Sequence, residues 1–240
     1  MWFDIISVDH YYLSGDQARG KMKRTNAMLI GIMLAFCAGC SQLAPEGLDT
    51  AGKTPQQKLL EGNRRYAFSI LSHPNQSALR RMEVAKGQHP FATIVTCSDS
   101  RVPPEIIFDQ GLGDLFVIRL AGNIIDDTAL GSLEYAVEHL NVKYIMVLGH
   151  KRCGAVDATI KGDEAYGHVE SIVKAIQPSV DKAKNQPGDL LDNAIRANVS
   201  SMVRLLKSSQ PILEKKAKEG GLSIVGAYYD LDDGTVTIIP

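Results

Sequence analysis

The sequence predicts an α/β fold: a mostly parallel central β-sheet flanked by helices, with a helical arm at its N-terminal side. Three observations carry this reading. Short apolar runs rich in β-branched residues, at 91–96, 115–120 and 144–148, read as buried strands. Segments with apolar residues at helical spacing alternate with them, and that alternation argues for parallel pairing with helices on the sheet faces. Residues able to do chemistry follow two of the strands directly, Cys97 after the first and His150 after the third. Open α/β sheets collect their sites at such carboxyl ends, so the fold brings residues far apart in the chain to one edge.

Taken in order, residues 1–40 read as an extension with a processing signal. Lys21, Lys23 and Arg24 precede an apolar stretch at 27–36, and the small-residue segment Cys37-Ala38-Gly39-Cys40 follows it. Basic, then apolar, then small is the order of a secretory signal, and about ten apolar residues are too few to cross a bilayer. The segment resembles a bacterial lipoprotein signal, which implies lipidation of Cys40, export to the periplasm and membrane attachment only through that lipid. Asp4, Asp9 and Asp16 are out of character ahead of such a signal, so Met22 is the expected start. Residues 41–54, rich in glycine, proline and small polar side chains, read as a tether.

The domain proper spans 55–240. Residues 55–71 carry Leu59, Leu60, Tyr66 and Ile70 at helical spacing behind Pro55, which suits a first turn, and form the arm. The strand at 91–96 ends at Cys97, and the strand at 115–120 follows. A helix at 128–140 is capped by Asp126 or Asp127, and the strand at 144–148 runs into Gly149-His150. Helices at 164–175, 190–207 and 211–219 come next. Strands at 222–229 and 235–239, joined through Asp232-Asp233-Gly234, read as a hairpin. Nothing in this C-terminal part is assigned to chemistry.

The chain has 240 residues, 45% hydrophobic and 22% charged, with a formal net charge of −1. That balance suits one globular core. It supplies no basic footprint, so nucleic acid is not an expected partner.

Only four cysteines occur, and Cys37 and Cys40 belong to the signal. None remains for a disulfide framework. Cys97, His150 and Cys153 form a Cys2His set suited to zinc, and three protein ligands leave a fourth position for water, as catalytic sites do. The plainer reading makes Cys97 and Cys153 small buried hydrophobes. Asp99 and Arg101 weigh against it: two residues apart in an extended segment, they project from the same face as Cys97. A paired arginine keeps a carboxylate ionised, able to accept a hydrogen bond from zinc-bound water. Were Arg101 to let go, that carboxylate could bind the metal and close the site. Gly149 and Gly154 would let backbone approach the metal. His10, His73, His89, His139 and His168 have no comparable company and are expected on surfaces.

These motifs, Cys97-Ser98-Asp99-Ser100-Arg101 and Gly149-His150-Lys151-Arg152-Cys153-Gly154, resemble the β-class carbonic anhydrases. The similarity runs on through Leu60-Glu61-Gly62-Asn63, Arg119-Leu120-Ala121-Gly122-Asn123 and Glu134-Tyr135-Ala136-Val137, over roughly residues 55–240. It implies one Zn2+ per subunit, zinc hydroxide adding to carbon dioxide to give bicarbonate, and a homodimer or dimer-based tetramer. By position it implies that Cys97, His150 and Cys153 ligate zinc and that Asp99 and Arg101 form a catalytic dyad. Gln88 matches the substrate glutamine of plant-like members. Phe116, Tyr135 and Gly154 match pocket positions, with Phe116 and Tyr135 contributed from across the dimer. Members with a non-catalytic bicarbonate pocket carry tryptophan where this chain has Ile94, so an open resting site is implied. The alternatives are a carbonyl sulfide or carbon disulfide hydrolase on the same scaffold, a non-catalytic exported zinc-binding lipoprotein, and a thiol-redox protein.

Overall fold

Strand β1 (Ala92–Thr96) is buried at all five positions, and β3 (Tyr144–His150) at all seven. Central strands covered on both faces read as unbroken apolar runs, which is why these two are visible without alternation. The structure, a computed structural model, describes residues 52–162 and 165–240. The signal, Cys37 and Cys40 within it, and the tether up to residue 51 lie outside the described residues. Among those described, no helix is long and apolar enough to cross a membrane.

The five strands, with β2 (Leu115–Arg119), β4 (Ser223–Tyr229) and β5 (Val236–Ile239), lie in the order β2-β1-β3-β4-β5. All neighbours are parallel except β4 and β5, the expected hairpin. From β1 the chain goes first to one side, into β2, and then returns to the other, into β3. The direction of winding therefore switches between β1 and β3, and a crevice opens there at the carboxyl ends. Thr96 pairs with Leu148, so Cys97 and His150 leave the sheet side by side.

Alternate residues of the central strands feed two apolar layers. Val95, Ile145 and Val147 pack with Leu133 of α4 (Asp127–Glu138), with Val199 and Leu206 of α7 (Leu190–Lys207), and with Leu213 of α8 (Leu213–Lys218). Ile94, Met146 and Leu148 pack with Leu59 of α1 (Pro55–Ala67) and with Ile107 and Phe108 at α3 (Pro104–Ile107). Fully burying Leu59 is worth about 1.5–3 kcal/mol and anchors the arm.

Local chemistry sets the helix ends. Thr54 and Gln57 form a reciprocal capping box ahead of α1, with Gln57 Oε1 accepting from the Thr54 N–H at 2.9 Å. The arm stops at Ala67, four residues short of the predicted end, where Ser69 takes a left-handed φ of 56°. Asp126 is the cap of α4, accepting from the Ala129 N–H at 2.8 Å. The predicted helix at 164–175 is α6 (Val169–Ala183), which continues through Pro178. The missing N–H of Pro178 is outweighed by the buried face of Ile176, Val180 and Ala183. Helices α2 (Ala78–Val84) and α3 lie in stretches to which the sequence assigns no element, and α5 (Gly154–Lys161) follows directly on Cys153. Helix α2 buries no residue, so it has no apolar stripe to read.

The arm is also held by one buried carboxylate. Asp109, its side chain 1% exposed, accepts from Arg65 Nε of α1 at 2.5 Å, from the Ser72 N–H and hydroxyl at 3.0 and 2.9 Å, and from the His73 N–H at 3.0 Å. Burial pushes the Asp109 pKa up, but these donors outweigh it and hold it below the usual carboxylate value. A depressed pKa contributes stability that is present above the unfolded value of about 3.9 and is lost as pH falls through the folded value. Asp109→Ala, which leaves Arg65 without its partner, is expected to cost about 3–5 kcal/mol in urea unfolding at pH 7. The gap from wild type should narrow at a pH of about 3. A gap that persists undiminished in acid would show that the charge is not what matters.

Candidate active site

Each member of the sequence-predicted metal set is placed by a different element. Cys97 follows β1 directly, His150 is the last residue of β3, and Cys153 is the cap residue of α5. The two Sγ atoms and one His150 ring nitrogen all lie within 4.8 Å of one another. Tetrahedral zinc, with bonds of roughly 2.0–2.3 Å, sets its donors roughly 3.3–3.8 Å apart, so the set needs little closing to meet an ion.

The protonation pattern fits as well. His150 Nδ1 lies 3.0 Å from the Lys151 carbonyl oxygen, a partner that can only accept, so Nδ1 carries the proton and Nε2 is left as the free lone pair. Nε2 is buried, has no hydrogen-bond partner among the described residues, and stands 3.8 Å from Asp99 Oδ2. An orphaned buried acceptor beside two sulfurs is what a cation site requires. The Cys97 thiol is drawn down, chiefly by its hydrogen bond with Cys153, against the opposing effect of burial and with help from the Asp99 and Gly122 N–H groups. The same hydrogen bond and burial push Cys153 up. A bound cation would take both sulfurs as thiolates.

Asp99 stands beside this set in a fixed pose. Arg101 donates its backbone N–H and Nε to Oδ1, both at 2.9 Å, and Nη2 to Oδ2 at 2.7 Å. Those side-chain bonds hold the Asp99 carboxyl down to about 2, so it is ionised and can only accept. Arg101 Nη2 also reaches the Arg152 carbonyl oxygen at 3.3 Å, which ties the dyad to the loop between His150 and Cys153.

Three supports lie outside the predicted site. Arg119, the last residue of β2, donates Nε to the Cys97 carbonyl at 3.0 Å and Nη2 to the Asp99 carbonyl at 2.6 Å, clamping the segment that carries ligand and dyad. In the parallel pairing of β1 with β2, Arg119 stands opposite Thr96, next to the segment it clamps. Arg152 holds a left-handed φ of 53°, and its guanidinium pairs with Asp232 at 2.5 Å. Lys151 reaches Asp230 and Asp232 at 3.0 and 2.8 Å. The C-terminal hairpin, expected to have no part in the site, thus pins the ligand loop.

The single chain brings together Cys97, Asp99, Arg101, His150, Cys153 and Gly154. Gly154 opens α5, and a Cβ added there would meet nothing within 4 Å, so open space adjoins Cys153. The other predicted pocket residues lie elsewhere. Gln88 is exposed ahead of β1, with about 17 Å of strand between it and Cys97. Phe116 stands opposite Thr93, about 13 Å of strand before Cys97, and its ring centroid is 6.4 Å from that of half-exposed Tyr135.

Two thiols and an imidazole at a parallel-sheet switch point, with an arginine-held carboxylate beside them, form a set that could hold a metal ion. The family model described as carbonic anhydrase matches residues 92–236. Carbonic anhydrase 2 of Mycobacterium tuberculosis is 43% identical over 184 residues, covering 75% of this chain and 89% of that protein. The carbonic anhydrase of Mycolicibacterium smegmatis is 40% identical with the same coverage. Among solved structures, the β-carbonic anhydrase CcaA matches with a TM-score of 0.62 at 29% identity, over 77% of this chain and 95% of that one. One of two β-carbonic anhydrases of Sordaria macrospora, described as tetrameric, matches with a TM-score of 0.62 at 26% identity, over 77% and 96%. The chain belongs to the carbonic anhydrase family and, by its fold, to the β class. It is an enzyme of carbon dioxide hydration.

Proposed function

We propose that Cys97, His150 and Cys153 hold one zinc ion per subunit and that the Asp99–Arg101 pair directs the oxygen that adds to carbon dioxide. The observation that carries this is the orphaned His150 Nε2, buried between two sulfurs and 3.8 Å from an ionised carboxylate. When bound, zinc supplies Lewis acidity that makes a water reactive near neutral pH. The rest is the protein's work. Asp99, kept from the cation by three Arg101 donors, accepts the hydrogen of the attacking water and so turns its lone pair toward the substrate. Arg119 keeps the Asp99 backbone from drifting. Stopped-flow hydration near pH 8 with zinc-loaded protein tests this. Rapid turnover is expected. Full zinc occupancy without turnover would overturn the reading in favour of carbonyl sulfide or carbon disulfide hydrolysis or of a structural zinc protein.

We further read the chain as a plant-like member acting as a homodimer or dimer-based tetramer. Phe116 and Tyr135 lie too far along their own subunit to line its metal set, which supports their contribution from across the dimer; light scattering showing an active monomer would refute this. Ile94 in place of tryptophan supports a resting site without a bicarbonate switch. Export as a Cys40-anchored lipoprotein rests on the order of residues 21–40, and a native mass that still includes residues 27–36 would refute it.

A further inference from the structure

Asn198 has no part in the reaction described above, yet it is placed one residue away from a metal-site sulfur. It lies on the inner face of α7, is 1% exposed, and is flanked there by the buried apolar side chains of Ile195 and Val199. A buried amide is costly unless its hydrogen bonds are made. Asn198 Nδ2 donates to the Gly122 carbonyl oxygen at 2.8 Å, while its Oδ1 lies 3.5 Å from the Ser179 hydroxyl of α6. Gly122 in turn donates its own N–H to Cys97 Sγ at 3.2 Å.

Gly122 occupies the turn Ala121–Asn123 after β2, with a left-handed φ of 66°. A side chain there would be strained by that φ, and its Cβ would come within 2.6 Å of Ile176 Cδ1 and 3.3 Å of Ala155 Cβ. Glycine is therefore required for the turn to fit, and glycine also leaves its peptide planes free to rotate. Asn198 supplies the restraint that the residue type removes. The bond it makes and the bond to sulfur lie on successive peptide planes joined at the Gly122 Cα, so their coupling is one of position rather than of charge transfer along a single amide.

We propose that Asn198 is a positioning residue for the metal site: by holding the Gly122 carbonyl, it keeps the Gly122 N–H aimed at Cys97 Sγ and sets how strongly that sulfur donates to a bound cation. A hydrogen bond to a thiolate draws charge from the sulfur, and groups that orient ligands from behind govern both affinity and the electronics of the metal. This rests on the metal-binding reading of Cys97, His150 and Cys153.

Asn198→Leu, which fills the space without a donor, and Asn198→Ser, too short to reach Gly122, test it against Met202→Leu as control, a packing change one turn along the buried face of α7. In chelator competition the two Asn198 variants should bind zinc about 10–100-fold more weakly than wild type. Loaded with cobalt(II), they should show a displaced sulfur-to-cobalt charge-transfer band, whereas Met202→Leu should match wild type in both respects. Unchanged zinc affinity and an unchanged band in either folded Asn198 variant, even one of lowered thermal stability, would overturn the proposal by reducing Asn198 to a packing role. Should neither variant fold, wild-type protein loaded with 113Cd decides: the Gly122 amide proton is expected to show scalar coupling to the metal through Cys97 sulfur, and its absence overturns the proposal. Wild-type protein that takes up no metal at all would instead mark failure of the metal-binding reading.

Discussion

Cys153→Ala protein is expected to purify folded, without stoichiometric zinc and without turnover above that of water. Removing one sulfur leaves Cys97 and His150, and two donors at the end of a sheet hold zinc far more weakly than three. The fold should survive because Cys153 enters an apolar cluster with Val156, Ile176 and Val180, where alanine is tolerated and the lost volume is small. Circular dichroism, metal analysis and carbon dioxide hydration on one preparation separate these effects. The reading of the site fails if the variant keeps one zinc per subunit and a rate within about tenfold of wild type, a change of only about 1.4 kcal/mol in the barrier.

Asp99→Ala differs in leaving the metal donors untouched. Zinc content should match wild type while kcat falls by about 10²–10⁴-fold, the usual contribution of a positioned acid–base group. Arg101→Lys should fall between the two, because an ammonium cannot reproduce the forked contacts to Oδ1 and Oδ2. Arg101 is half-exposed, so its replacement is expected to leave stability nearly unchanged, as for other surface pairs. Stopped-flow rates at matched zinc occupancy measure both, and an Asp99→Ala enzyme with wild-type kcat would remove the dyad from the mechanism.

The parts of this molecule that were legible in advance are those with a local signature. Strands β1 and β3 are buried throughout, and their apolar runs stand out for that reason. Asp99 and Arg101 are two residues apart, and His150 and Cys153 three, so each pair's chemistry can be read without the fold. Helices α2 and α3 were illegible because one buries nothing and the other is four residues long. The run of α6 past Pro178 was illegible because packing against α7 overrides a local helix breaker.

What the chain's order of residues determined by itself is the donor set, the ionised partner beside it, and the parallel sheet whose carboxyl ends gather them. Tertiary structure alone decided which groups stand behind the site: Arg119 on the Cys97 carbonyl, Asn198 on Gly122, and Asp232 on Arg152, from 22, 76 and 80 positions away. It also decided that Phe116 and Tyr135 pair with each other at a distance from the metal set of their own subunit. The physical reason is that a hydrogen bond between distant segments leaves no periodicity or spacing in the sequence. It exists only once strand order and helix packing have brought donor and acceptor within about 3 Å.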